Sequence, residues 1–282
     1  MSVSILASRS APATTGRIAL YTFFWVFLFF PVYWMLATAL RSGTDIFQQF
    51  PSLIPLQPTL QNFRRTLVSS DLLLYLRNSL VTAGGSALLT TFLAMLAAYG
   101  FAKYRFRGRH PLMYAMLAAQ MFPFGLLLIS LYSLLFSAGL LNTLLGLTLA
   151  YIVFALPPAI YILYSFFSRL PDALMEAARI DGASEWDILL RIILPLSKPA
   201  LISVGIYSFM WAWNDLLYSL TLITRDDLRT IGPGLLLTMF GEMQQDWSGA
   251  MAAAILASLP AVVVFMVLQR YFVEGLTSGA VK

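Results

Sequence analysis

The sequence predicts an all-α integral membrane protein of six transmembrane helices with one helix–Gly–helix loop on the cytoplasmic side. Three observations predict it. Of the 282 residues, 59% are hydrophobic and 11% are charged, against roughly 25% charge in a typical soluble domain. A soluble chain of this length could not hide that much apolar surface. The apolar residues also gather into six runs, each near the roughly 20 residues that a helix needs to cross the hydrocarbon core. Finally, the one dense charged block, between the fourth and fifth runs, reads as two short helices meeting at a glycine.

The elements follow in order. Residues 1–16, MSVSILASRSAPATTG, are small and polar and are expected as a flexible cytoplasmic tail. Residues 17–282 are expected as a single transmembrane domain with spans at about 17–40, 78–100, 111–136, 143–165, 199–222 and 249–271. The first run is too long for the apolar part of a signal peptide, and no clear small-residue cleavage site follows it. KYRFRGRH (Lys103 to His110) separates spans two and three, and the short, uncharged SAGLLNT separates three and four. Met121, Phe122 and Pro123 in span three, and Pro157 and Pro158 in span four, are expected to mark bends rather than contacts. Two longer outer loops remain, about 41–77 and 223–248; the first, with Pro51, Pro55 and Pro58, has room for short helices of its own.

Orientation follows from Lys and Arg, which favour cytoplasmic loops. With the N-terminus inside, the inner segments hold twelve of the 18 basic residues and the outer ones six, four of those in one long loop. The short loops decide it, with four basic residues in 101–110 and none in 137–143. Both termini and the 166–198 segment are then cytoplasmic. The net charge of +5 reads as basic loops rather than a nucleic-acid surface. The absence of Cys excludes disulfides and thiolate metal sites, and a lone histidine, His110, excludes a His-cluster metal site. The three lysines follow Ala102, Ser197 and Val281, so the Gly-Lys of a phosphate-binding loop is missing, and no nucleophile–base set is evident. The chain is not expected to be an enzyme.

The charged block, EAARIDGASEWDILLRIILP, runs from Glu176 to Pro195. Pro171 suits a first helical turn, and Asp172 and Glu176 lie toward the positive end of the helix dipole. Leu170, Leu174, Ala177 and Ala178 fall on one side at helical spacing. Gly182 stands where a left-handed residue closes a helix. Ser184 and Asp187 match a capping box that opens a second helix, whose apolar side is Trp186, Leu189, Leu190 and Ile193. Pro195 and Pro199 end it or bend it into span five. On these residues alone two readings stand: a compact knob for another protein, or a solvated interfacial loop.

The block resembles the EAA loop of binding-protein-dependent ABC transporter permeases, whose signature is Glu-Ala-Ala, Asp-Gly-Ala and Ile-x-Leu-Pro. Glu176, Ala177, Ala178, Asp181, Gly182, Ala183 and Pro195 match it. Glu185, where Pro is frequent, and Leu189, where Phe is frequent, depart from it. FMWAWNDLLYSLTLI and QRYFVEGLTSGAVK resemble the maltose-type (MalG-like) carbohydrate permeases of six spans. The resemblance implies the ABC type I importer permease fold and half of an importer in the bacterial inner membrane. It implies pairing with a second, MalF-like permease, two ABC ATPase subunits that carry the ATP and Mg, and an extracytoplasmic sugar-binding protein, with no cofactor in this chain. It also implies that the Glu176 helix docks in a cleft of the ATPase, that the C-terminal EGLTSGAVK reaches the ATPases, and that the outer loop at about 225–248 approaches the binding protein's sugar site.

A maltose-type oligosaccharide is the first expectation for the solute, and a polyol or glycerol phosphate is the alternative. A rival of another class is an ion- or proton-coupled transporter, which needs ionisable groups near the midplane; the spans offer essentially Asp215 alone. Trp211, Trp213, Asn214, Asp215 and Tyr218 form a cluster suited to sugar rings and hydroxyls. The same residues also suit a membrane-interface belt or packing against a partner permease.

Overall fold

The computed structural model describes residues 11–42, 52–69, 71–240 and 246–277. Most of these residues are helical, with no strand among them. Residues 1–10, most of the expected tail, lie outside them, and so do Pro51 and the tip 241–245. Among the described residues four helices are long and apolar enough to cross a membrane, and two bent pairs, Arg109–Ala119 with Phe124–Ser137 and Glu185–Leu196 with Lys198–Trp213, bring the number to six if each pair is one span. Contacts gather into two compact units, residues 1–69 with 242–256 and residues 70–241 with 257–282.

The first unit holds α1 (Ala11–Ala39), α2 (Gln61–Ser69) and the start of a helix that begins at Trp247. Within its span, α1 has an 18-residue apolar window with no share buried against protein, as expected of a helix whose solvent is lipid or a neighbouring chain. Just past its end, Arg41 is buried, its guanidinium over the Trp34 ring and bonded to the Ser52 carbonyl. Asn62 of α2 donates to the carbonyls of Ala39 (2.8 Å) and Arg41 (2.7 Å). The Ala39 carbonyl is one that α1 leaves without an intrahelical partner at its C-terminus. Arg65 pairs with Asp246, which also accepts from the Gly249 amide at 3.0 Å.

The second unit is built on α3 (Leu72–Lys103), which packs against α6 (Leu144–Phe167) and α10 (Lys198–Trp213). Small residues allow the close approach, namely Ala83, Ala94 and Ala98 on α3 and Ala150, Ala155 and Ala159 on α6, all buried. Toward the Lys103 end of α3 the core continues through Leu163, Phe167, Ile188, Ile193 and Val204.

The third expected span is two helices, α4 (Arg109–Ala119) and α5 (Phe124–Ser137), bent by 101° at Pro123. Pro157 and Pro158, by contrast, lie inside an unbroken α6. Pro158 has no N–H for the Phe154 carbonyl four residues earlier; Gln120, at the break, donates to that carbonyl instead, at 3.2 Å. The SAGLLNT turn closes with Asn142 at φ 57°, its side chain accepting from the backbone of Thr224 (2.7 Å) and Arg225 (3.1 Å). Thr143 caps α6 by accepting from the Gly146 amide at 2.9 Å, and a Cβ at Gly146 would collide with the Leu140 carbonyl.

Further along, α7 (Asp172–Ile180) and α8 (Glu185–Asp187) form the charged block. A π-helical turn, Ile188–Ile193, leads from them into α9 (Leu194–Leu196). The fifth expected span, 199–222, is likewise divided: α10 stops at Trp213 and α11 (Leu217–Leu222) resumes after Asn214–Leu216. A single turn of 3₁₀ helix, Asp226–Leu228, then leads to α12 (Ile231–Phe240), and the chain ends on α13 (Trp247–Thr277). Residues 226–240 are therefore largely helical and seated. Asn78 of α3 donates to the carbonyls of Asp227 and Arg229 at 3.0 Å, and Ser79 accepts from the Ile231 amide at 2.8 Å.

Candidate functional site

The charged block folds as two helical limbs. At the end of α7, Gly182 takes φ +83°, its amide donates to the Arg179 carbonyl (3.1 Å), and the Ala183 amide donates to the Ala178 carbonyl (2.9 Å). Together these bonds make a Schellman stop. The next limb opens on a reciprocal capping box between Ser184 and Asp187. Pro171 sits one residue before the helix, as its cap, rather than in the first turn.

Burial corrects the expected faces. Of α7, Met175 enters the core at 2% exposure, with Leu170 and Ala178 partly buried against it. Leu174 and Ala177 point outward instead. In the second limb Ile188, Leu189 and Ile193 are buried, whereas Trp186 and Leu190 are exposed. The reason is the π turn, whose wider winding puts Ile188, Leu189 and Ile193 on one side. Pro195 lies just beyond it, and its ring opposes ordinary α-helical packing against the carbonyl of residue 191.

What α7 leaves outside is as informative. Ala173, Glu176, Ala177 and Ile180, spaced i, i+3, i+4 and i+7, are all exposed, Ile180 at 86%. They form one face at helical spacing. Among the described residues Glu176 has neither an ion pair nor a hydrogen bond, although it borders a small polar cleft with Arg105 and Arg109. Asp181 and Pro195 are exposed as well, and Ala183 is partly buried.

Both limbs are tied to the Lys103 end of α3. Lys103, its side chain 4% exposed, donates to the Leu170 carbonyl (3.0 Å) and the Asp172 carboxylate (2.9 Å). Lys103 holds the Asp172 carboxyl below its usual value. Glu185 accepts from the Tyr99 (2.7 Å) and Tyr104 (3.0 Å) hydroxyls and pairs with Arg179 at 2.8 Å. The Arg179 guanidinium, with the tyrosine hydroxyls, brings the Glu185 carboxyl down to about 2. In the sequence Glu185 stands out only as a departure from the EAA pattern, with no role attached. Its signal was the replacement of a frequent proline by a charged residue.

The second feature is a cavity of about 900 Å³ where both helix breaks meet, lined by Gln120, Phe124, Phe154, Trp211, Asn214 and Asp215 among others. Phe154 stacks on Trp211 at 5.5 Å between ring centroids, and Phe124 meets Trp211 edge-on at 5.1 Å. The cavity unites Trp211, Asn214 and Asp215 from the expected cluster. Trp213 is buried and stacks on Phe209 (5.3 Å), and Tyr218 is fully buried with its hydroxyl donating to the Phe124 carbonyl at 2.6 Å. Neither lines the cavity. Asp215 accepts from the amides of Tyr218 (3.2 Å) and Ser219 (2.8 Å) and from the Tyr151 hydroxyl (3.0 Å). It thereby caps α11. Phe122 and Pro157, expected as bend markers only, also line the cavity.

Residues 90–278, which include the knob and every lining residue of the cavity, match the family model described as "Binding-protein-dependent transport system inner membrane component". The diacetylchitobiose uptake system permease protein DasC of Streptomyces coelicolor is 35% identical over 256 residues, 90% of this chain and 92% of that protein. The trehalose/maltose transport system permease protein MalG of Thermococcus litoralis is 35% identical over 255 residues, 90% and 91% of the two chains. A chain from a bacterial ABC transporter involved in the import of the acidic polysaccharide alginate superposes with a TM-score of 0.83, over 95% of this chain and all of that one, at 20% identity. At that identity the superposition speaks for the fold, and it is the permease fold. Fold and family match agree with the EAA signature, and this chain is a member of the inner membrane permease family of binding-protein-dependent transport systems.

Proposed function

We propose that this chain is one permease half of an ATP-driven importer for a sugar or sugar-like solute, foremost an oligosaccharide of the maltose type. The observation that carries the reading is the outward face of α7: Ala173, Glu176, Ala177 and Ile180, apolar or small around one unpaired carboxylate. The protein's own core uses the other side. Such a face allows close approach by a partner, and Glu176 supplies a charge for a basic residue there. The partner in this reading is a cytoplasmic ATPase subunit, which holds the ATP and Mg and supplies the drive. Asp181, Gly182, Ala183 and Pro195 shape the knob. A second permease subunit completes the pathway and an extracytoplasmic binding protein delivers the solute.

Alternating access then follows from differential binding, because the ATPase pair favours one arrangement of the docked knobs and the spans follow as rigid bodies. The aromatic cavity is this chain's contribution to the lane. Phe154 and Trp211 offer faces to sugar rings, and Asn214 and Gln120 offer hydroxyl partners. The carbohydrate uptake named for DasC and MalG supports the solute class.

Coexpression with the partner permease and the ATPase tests the reading. Glu176→Arg or Gly182→Pro is expected to abolish ATPase copurification while leaving the permease pair in the membrane. Transport by this chain alone in liposomes would refute it. In this reading both termini are cytoplasmic. Because the chain has no Cys, single cysteines introduced at the KYRFRGRH and SAGLLNT loops report sidedness without background.

A further inference from the structure

The knob has a joint that could waste any push it receives. Gly182 is left-handed, and nothing lies within 4 Å of where its Cβ would be. Only Met175 of α7 is buried in the core. A limb held by one buried side chain and a free hinge would yield locally instead of moving the bundle. Six polar side chains oppose that slack: Lys103, Asp172, Arg179, Glu185, Tyr99 and Tyr104. Lys103 holds the N-terminal end of α7 through Leu170 and Asp172, and Glu185 holds its C-terminal end through Arg179. Glu185 also opens the second limb and takes both tyrosine hydroxyls, Tyr99 from α3 and Tyr104 just after it. One carboxylate therefore joins three pieces of chain across the hinge.

We propose that Glu185 is a positioning residue that locks both limbs of the knob to the Lys103 end of α3, so that displacement of the knob is delivered to α3 instead of being absorbed at Gly182. The proposal deepens the functional reading above and relies on it for the partner that moves the knob. The receiving helix is apt, because α3 packs against both α6 and α10, and α10 carries Trp211 into the cavity wall. A carboxylate suits the post because it is acceptor-only, with room for two hydroxyl donors and a guanidinium at once. A Gln in its place keeps the length but loses the ion pair and half of the acceptor capacity.

The full complex, reconstituted with partner permease, ATPases and binding protein, tests this with Glu185→Gln, Tyr99→Phe, Tyr104→Phe and the Tyr99→Phe/Glu185→Gln double variant. Tyr104→Phe, in an exposed loop, opens no core cavity and guards against loss through misfolding. ATPase copurification should stay at the wild-type level in all four. Amide exchange in 172–181 should speed up, and solute moved per ATP hydrolysed should fall, by about tenfold in Glu185→Gln, a typical coupling between two sites. The double variant should be no worse than Glu185→Gln, because both changes open one lock. Unchanged exchange would show that no lock exists. An unchanged solute-to-ATP ratio would show that the lock transmits nothing, and additive losses would separate Tyr99 from Glu185. If Glu176→Arg keeps its ATPase, the functional reading and the transmission fall together, while exchange still judges the lock alone.

Discussion

Replacing Gly182 tests whether the knob depends on backbone handedness or on space. Nothing within 4 Å meets an added Cβ, so Gly182→Ala introduces no collision. What remains is the left-handed conformation at φ +83°, which costs an L-residue about 1–2 kcal/mol. That is a factor of about 5–30 in a local opening equilibrium. Asn tolerates the left-handed region better than Ala, so Gly182→Asn should lose less. Pro, fixed near φ −65° and lacking the N–H that reaches the Arg179 carbonyl, should lose more than either, about 3 kcal/mol or above. Hydrogen exchange at the Ala183 amide, which makes one of the two closing bonds and is present in every variant, reads this directly in the purified protein. Exchange should accelerate in the order Asn, Ala, Pro at position 182. Wild-type exchange in Gly182→Ala, or a larger effect for Asn than for Ala, would refute the handedness argument.

Four further outcomes follow from the geometry. Met175→Ala removes the one fully inserted side chain of α7 and should cost about 2–5 kcal/mol, read as a lowered thermal midpoint in detergent. The Glu185 carboxyl, ordinarily near 4.5, is depressed to about 2 in the fold. Its contribution is therefore present above pH 4.5 and is lost as pH falls toward 2, and the difference between the thermal midpoints of wild type and Glu185→Gln should shrink over that window. Asp215→Ala uncaps α11, at about 1 kcal/mol, and strands the buried Tyr151 hydroxyl, at about 1–3 kcal/mol more. It should thus lower the thermal midpoint, whereas Trp211→Ala should mainly raise the solute concentration needed for half-maximal transport.

How far the sequence could be read depended on how local each determinant is. The stop at Gly182 and the box from Ser184 to Asp187 were legible because their partners lie three to five residues apart. The buried face of α7 was not, because Met175 is selected by what α3 and α6 present to it, and no pattern within the nine residues of α7 carries that. Glu185 meets tyrosines 86 and 81 positions away, a pairing that only the fold creates. Pro123 announced the break in span three. The break at Asn214–Leu216 has neither Gly nor Pro, and its only trace was an Asn-Asp pair in an otherwise apolar run. Trp213 and Tyr218 looked like neighbours of Trp211 by composition, but the turn of α10 takes Trp213 onto Phe209, and Tyr218 packs behind the lining rings of Phe124 and Phe154.

The two interruptions, α4 to α5 and α10 to α11, have a consequence for how the family can diversify. A helix interrupted in hydrocarbon leaves peptide groups without partners, and lipid has none to offer. Here the amides at both breaks, Gln120 to Phe122 and Asn214 to Asp215, keep carbonyl partners in the preceding helix turn, and both breaks open on the same cavity, where the proposed solute would meet the main chain. In the proposed reading recognition divides into two layers: the main chain at the breaks, with Gln120 and Asn214 tied to it through the Phe154 and Met210 carbonyls, and interchangeable lining side chains such as Ala119, Leu127 and Val153. Exchanging the second layer can shift the preferred cargo without disturbing the first, and leaves the knob at the Lys103 end of α3 untouched.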